Sequence, residues 1–182
     1  MSRQEVRFSG FGGQGIILSG YIVGKAATLH TKLNATLTQS YGPESRGGAC
    51  AAGLILDEET VHYPHVMTPD VLIAMSQEAY DKYADNVVPD GLLLIDETLV
   101  DPDIVPHQGR LFGIPATGIA EELGRRIVAN IVMLGFFTGV SGLIPEEAMR
   151  QTILASVPKG TEDLNSKAFS EGLTHAKKVR VS

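Results

Sequence analysis

Short apolar runs alternate with longer amphipathic ones along this chain, and the alternation divides it into strand and helix candidates. Glu5 to Phe8 reads as a first strand, and the mostly apolar stretch from Ile16 to Leu29, with Gly20 and Gly24 on one side, is long enough for a helix. Asn34 to Gln39 carries β-type residues in rough alternation, Ala49 to Leu56 reads as a strand of small residues, and Glu58 to Tyr63 as a turn with a short return strand. Val71 to Met75 and Leu92 to Asp96 are continuous apolar runs, as expected of central parallel strands covered on both faces. Between them Ser76 can cap a helix from Gln77 to Asp85. Arg110 to Ile114 supplies another strand, leading through Pro115 into a helix from Thr117 to Leu123 that Gly124 can stop.

The last third of the chain is helical in pattern. Arg126 to Val140 is so apolar that it must be buried on most of its surface, in the domain core or against another chain, and Asn130 is its only amide. Pro145 suits the first position of the next helix, which places Met149, Ile153 and Val157 on one face, and Pro158 and Gly160 stop it. A final helix opens at Thr161 with Glu162 and Asp163 and closes with Lys177 and Lys178, a charge order that complements its dipole. Strands followed by helices predict a three-layer α/β/α sandwich with a largely parallel, Rossmann-like sheet, as one domain over residues 1–182.

Two glycine-rich segments punctuate this pattern. Gly10, Gly12 and Gly15 match G-x-G-x-x-G, with Gly13 and Gln14 inside the turn, at a strand-to-helix junction where free N–H groups would face an anion. A turn that serves only packing fits this spacing equally well. A dinucleotide site also needs an acidic residue about 20 positions on, for the ribose hydroxyls. None occurs between Gly15 and Tyr41. The second segment, Ser40 to Gly48, offers the phenol of Tyr41, the carboxylate of Glu44, the guanidinium of Arg46 and the glycine pair Gly47 and Gly48. That density of special residues points to function, although a surface ion pair between Glu44 and Arg46 is the plainer alternative.

Composition narrows the chemistry. At 182 residues and 43% hydrophobic the chain can bury one substantial core. Its net charge of -6 gives no electrostatic footprint for nucleic acid. It has neither a signal-like segment nor an apolar stretch near the roughly 20 residues of a membrane span, so a cytoplasmic location is expected. Cys50 is the single cysteine, too few for an iron–sulfur cluster, and it reads as a small core residue. An acidic magnesium ligand in a Gly-Asp-Gly setting, as thiamine diphosphate requires, is missing. His62 and His65 lack a third ligand, so no metal site is expected there.

Three motifs together carry a resemblance. Gly12-Gly13-Gln14-Gly15 after a first strand, Tyr41 to Gly48 after a second, and Val128 to Gly135 in an apolar helix resemble, in that order, the gamma subunit of 2-oxoacid:ferredoxin oxidoreductases. The similarity spans about Gln4 to Lys178. It implies a subunit, inactive alone, of a complex that oxidatively decarboxylates a 2-oxoacid with coenzyme A to acyl-CoA, carbon dioxide and reduced ferredoxin. It also implies partner alpha, beta and ferredoxin-like delta subunits, which would carry the thiamine diphosphate, magnesium and iron–sulfur clusters. What is left for this chain is assembly and a share of the coenzyme A site, for which Gly10, Gly12, Gly13, Gln14, Gly15, Tyr41, Glu44, Arg46, Gly47 and Gly48 are the candidate binding residues. A free-standing chain of this length leans the expectation towards 2-oxoglutarate among 2-oxoacids. Two other readings stay open: a stand-alone nucleotide-binding domain, and a purely structural subunit whose loops only form an interface. The apolar helix around Phe136 and Phe137 and the strand from Ala49 to Gly53 are expected to seek a partner or a second copy.

Overall fold

A computed structural model describes residues 3–41, 49–102 and 107–179. Its six strands are β1 (Gln4–Phe11), β2 (Asn34–Tyr41), β3 (Ala49–Asp57), β4 (Val71–Ala74), β5 (Leu92–Asp96) and β6 (Arg110–Ile114). The helices are α1 (Ile16–His30), α2 (Gln77–Tyr83), α3 (Ala116–Glu122), α4 (Ala129–Ser141), α5 (Glu146–Leu154) and α6 (Glu162–Val179). All six strands join one sheet in the order β2-β3-β1-β4-β5-β6. The pairings of β1 with β4, β4 with β5 and β5 with β6 are parallel, whereas β3 runs antiparallel to both β1 and β2. A single reversed strand therefore interrupts an otherwise parallel sheet, as the alternation of strands and helices predicts.

The predicted return strand at Glu58 to Tyr63 is not formed; residues 58–63 are irregular. Its reason is topological: β3 is already paired along both edges, so a strand folding back from it would find no free N–H or C=O ladder. The segment instead returns across the sheet under side-chain control. Arg7 donates to the carbonyl of Val66, Arg3 Nη2 to that of Tyr63 at 3.1 Å, and Glu5 Oε2 accepts the N–H of Met67 at 3.1 Å. Burial lowers the pKa of the Arg7 guanidinium, which also lies 4.6 Å from the Tyr83 ring centre.

The pleat divides the core in two. Val71, Ile73 and Leu94 face the larger cluster under α1, α4 and α6, whereas Leu72, Ala74, Leu93 and Ile95 face a smaller one with Tyr80, Ala84 and Val87. Ser76 caps α2 by accepting the N–H of Ala79 at 3.2 Å. Pro145 stands one position outside α5, as its cap residue.

Helix α4 is covered within the domain rather than by another chain. Phe136 and Phe137 are fully buried, and α6 lies directly against α4 through glycines. A Cβ on Gly135 would stand 2.1 Å from the Phe169 carbonyl oxygen, and one on Gly172 only 2.0 Å from that of Val132. The two backbones touch, which seals the apolar surface that the sequence alone leaves without a cover. The small-residue strand β3 is likewise enclosed, between β1 and β2 and beneath α1.

Candidate functional site

Strand β1 runs further than its apolar pattern, so Gly10 lies inside it, opposite Cys50 of β3, and the chain turns only at Gly12 and Gly13. The Gln14 N–H closes the turn on the Phe11 carbonyl at 3.2 Å. Its side chain then locks it: Oε1 accepts the Phe11 N–H at 2.6 Å, and Nε2 donates to the carbonyl of Met75 at 2.8 Å. Met75 follows β4, so this one amide ties the carboxyl end of β1 to that of its parallel neighbour. Here the connections diverge, α1 leading towards β2 while β4 leads on to β5 and β6. Such a switch point is where open α/β sheets hold their ligands.

Gly10, Gly13 and Gly15 each have a separate reason. A Cβ on Gly10 would stand 2.4 Å from Gln14 Oε1. Gly13 and Gly15 have φ of 94° and 74°, which favour glycine. A Cβ on Gly15 would collide with the Asn130 amide at 2.4 Å, so this glycine makes room for a side chain of α4 rather than for helix-to-strand packing. Among the described residues, a Cβ on Gly13 would meet nothing within 4 Å. Gly15 caps α1 without a side-chain hydrogen bond, and the first turn has no acidic residue, so its N–H groups remain open to an anion.

Two clefts meet at this loop and share Gly13 and Ile127. One, of about 280 Å³, lies over the switch point and is lined by Gln14, Met75, Thr117, Arg126 and Ala129 as well. The other, of about 310 Å³, runs past the start of α1 between Leu18, Arg125, Asn130, Pro158 and Leu164. Arg126 approaches Glu121 only at 3.8 Å, while Arg125 makes no ion pair among the described residues. Ile127 between them is 71% exposed. The wall that carries Thr117 is anchored by the fully buried Asp96, whose Oδ2 accepts the Thr117 hydroxyl at 2.6 Å and N–H at 3.1 Å, and whose Oδ1 accepts the Thr98 N–H at 3.1 Å.

Of the predicted residues, the structure gathers Gly10, Gly12, Gly13, Gln14 and Gly15 into one turn. Tyr41 is exposed at the end of β2, where its hydroxyl donates to Gln39 at 2.7 Å. It stands in register with Cys50 and so with Gly10, at the same edge of the sheet. Glu44, Arg46, Gly47 and Gly48 lie outside the described residues. Because β3 intervenes, the end of β2 is two strand spacings, about 10 Å, from that of β1. Cys50 is buried, and desolvation raises its thiol pKa. Among the described residues no three His, Cys, Asp or Glu side chains are placed to hold a metal ion, and the single thiol does not fit an iron–sulfur cluster. No helix among them is long and apolar enough to cross a membrane.

Sequence reasoning missed Arg125, Arg126, Asp96 and Thr117. Its available signal was a pair of arginines directly after the helix stop Gly124.

Comparison with known proteins agrees with this architecture. The family model described as pyruvate ferredoxin/flavodoxin oxidoreductase matches residues 5–175. The chain is 49% identical over 179 residues to a 2-oxoglutarate synthase subunit KorC of Methanocaldococcus jannaschii, covering 97% of this chain and 96% of that protein. It is 31% identical to a pyruvate synthase subunit PorC of Methanothermobacter thermautotrophicus, covering 98% of each. A crystal structure of the keto/oxoacid ferredoxin oxidoreductase gamma subunit from Geobacter sulfurreducens superposes with a TM-score of 0.89 at 38% identity, over 98% of both chains. With its glycine turn at the switch point of a sheet that differs from a parallel one by a single strand, the chain belongs to the pyruvate ferredoxin/flavodoxin oxidoreductase family, as a gamma-type subunit of a 2-oxoacid:ferredoxin oxidoreductase.

Proposed function

We propose that this chain serves a complex that converts 2-oxoglutarate, coenzyme A and oxidised ferredoxin to succinyl-CoA, carbon dioxide and reduced ferredoxin, and that its own contribution is part of the coenzyme A site. The observation that carries the second statement is the start of α1, without a side-chain cap, beneath Gly13 and beside Arg125, which makes no ion pair among the described residues. Backbone N–H groups at a helix N-terminus together with a guanidinium suit the diphosphate and 3′-phosphate of coenzyme A. Arg46, from the other glycine segment, would add a second cation. The preference for 2-oxoglutarate rests on the higher identity to a 2-oxoglutarate synthase subunit, 49%, than to a pyruvate synthase subunit, 31%. Alpha, beta and ferredoxin-like delta subunits would supply the thiamine diphosphate and iron–sulfur chemistry, in the cytoplasm.

Purified complex assayed with 2-oxoglutarate and pyruvate tests the substrate, and preference for pyruvate overturns it. Arg46→Ala tests the role of the chain. Loss of one charge-assisted contact predicts a rise of about ten-fold to a hundred-fold in the KM for coenzyme A, with that for the 2-oxoacid unchanged. If the loops only hold subunits together, assembly and all activities fall in step and the coenzyme A constant of the intact fraction stays the same.

A further inference from the structure

The two edges of the sheet are finished differently. At one, β6 is five residues long, opens on Arg110 and is partly covered by α6, whose His175 Nε2 donates to the Gly113 carbonyl at 3.2 Å. At the other, β2 runs for eight residues with neither a charge nor a proline, the two devices that ordinarily stop an edge from pairing. Every second residue of such a strand points its N–H and C=O away from the sheet. Among the described residues the backbone of β2 bonds to β3 alone. Beside this open ladder a groove of about 320 Å³ lies between β2 and α1, lined by Ala35 and Leu37 of the strand and by Gly20 and Gly24 of the helix. Thr38 belongs to the opposite face, against Gly53. Helix α1 is apolar nearly all round, a pattern of helices enclosed on every side, yet Tyr21 is 50% and Leu29 64% exposed where they line the groove.

We propose that β2 takes up a seventh strand from another subunit of the oxidoreductase complex, an extended segment whose alternate side chains are apolar and enter the groove, with a carboxylate opposite Lys25. Main-chain hydrogen bonds supply the affinity of such an addition and the groove its specificity. Charge selects the occupant. The chain carries a net charge of -6, but from Gly15 to Tyr41 it has Lys25, Lys32 and no acidic residue. Lys25 lines the groove with its Nζ 5.8 Å from the Tyr21 ring centre, and it makes no ion pair among the described residues. Asp57, Glu58 and Glu59 lie at one end of β2, beside Asn34. A second copy paired edge to edge about a two-fold axis would bring its own Lys25 to the same interface, like charge against like, whereas an acidic strand neutralises it. The proposal rests on the chain's place as a subunit and not on the coenzyme A site.

Hydrogen exchange read by mass spectrometry on the isolated chain and on the purified complex decides the matter. Amides of β2 are expected to exchange about ten-fold more slowly, or slower still, in the complex, with those of β6 unchanged. Unchanged β2 amides in an assembled complex overturn the proposal and leave the chain's role as a subunit standing; failure of the chain to assemble with any other subunit overturns both. Two surface variants test the chemistry. Tyr21→Ala and Lys25→Glu are each expected to weaken assembly about ten-fold, the effect of Lys25→Glu shrinking at high salt, while the KM for coenzyme A of the assembled fraction keeps its wild-type value. If neither weakens assembly, the groove is not the contact and the proposal falls. Sedimentation of the isolated chain tests the other occupant: a dimer whose β2 amides are protected overturns the proposal in favour of a second copy.

Discussion

The glycines of the loop and those of the α4–α6 crossing do opposite things with the same missing atom. At the crossing, Gly135, Gly139 and Gly172 let backbone meet backbone, and any Cβ would strike main-chain atoms or the Ala176 methyl group at 2.4 Å or less. Main-chain atoms cannot rotate away, so the contact is rigid and its whole purpose is packing. At the loop, Gly10 and Gly15 make room for the side chains of Gln14 and Asn130, and a Cβ on Gly13 would meet none of the described residues within 4 Å. Glycine is favoured at position 13 by its positive φ, with no steric reason beside it. One set closes a core and the other leaves a surface open.

Breaking the crossing should have the largest effect. Gly172→Ala would force α4 and α6 apart and is expected to cost about 3 kcal/mol or more, read as a shift in denaturation midpoint at unchanged slope. Gly135→Ala should cost a similar amount, and the double variant less than their sum, since one separation of the helices relieves both clashes. Asp96→Asn comes next. It turns an acceptor of three hydrogen bonds into a group with donors facing donors, at about 2 kcal/mol, and should loosen the Thr117 wall without disturbing the crossing. Hydrogen exchange would show protection lost around α3 and kept in α4.

Gly13→Ala separates the two kinds of glycine most clearly. With no steric clash to meet, it should cost only about 1 to 2 kcal/mol, from the left-handed backbone. Its measurable consequence should be a raised KM for coenzyme A. Smallest is the effect of Cys50. Burial raises its thiol pKa, so above about pH 9 the unfolded chain gives up a proton that the folded one retains, and stability falls as pH rises. Cys50→Ala should flatten that alkaline limb in pH-dependent urea titrations and leave neutral stability nearly untouched.

Sequence alone determined the elements with local causes. Apolar runs such as Leu92 to Ile95, the cap at Ser76 and the stop at Gly124, whose φ is 91°, all act within a few residues, and each is found where the sequence places it. The family was legible too, because glycine turns and an apolar helix in fixed order survive as short local motifs. The cover of α4, the position of β3 between β1 and β2, and the neighbours of Gly15 were decided only by the tertiary structure. Those depend on contacts between residues far apart in the chain: Gly135 with Phe169, Gly15 with Asn130, Gln14 with Met75. A glycine records that something comes close, but not what, since the absent side chain is the same whether a helix, an amide or a ligand fills its place.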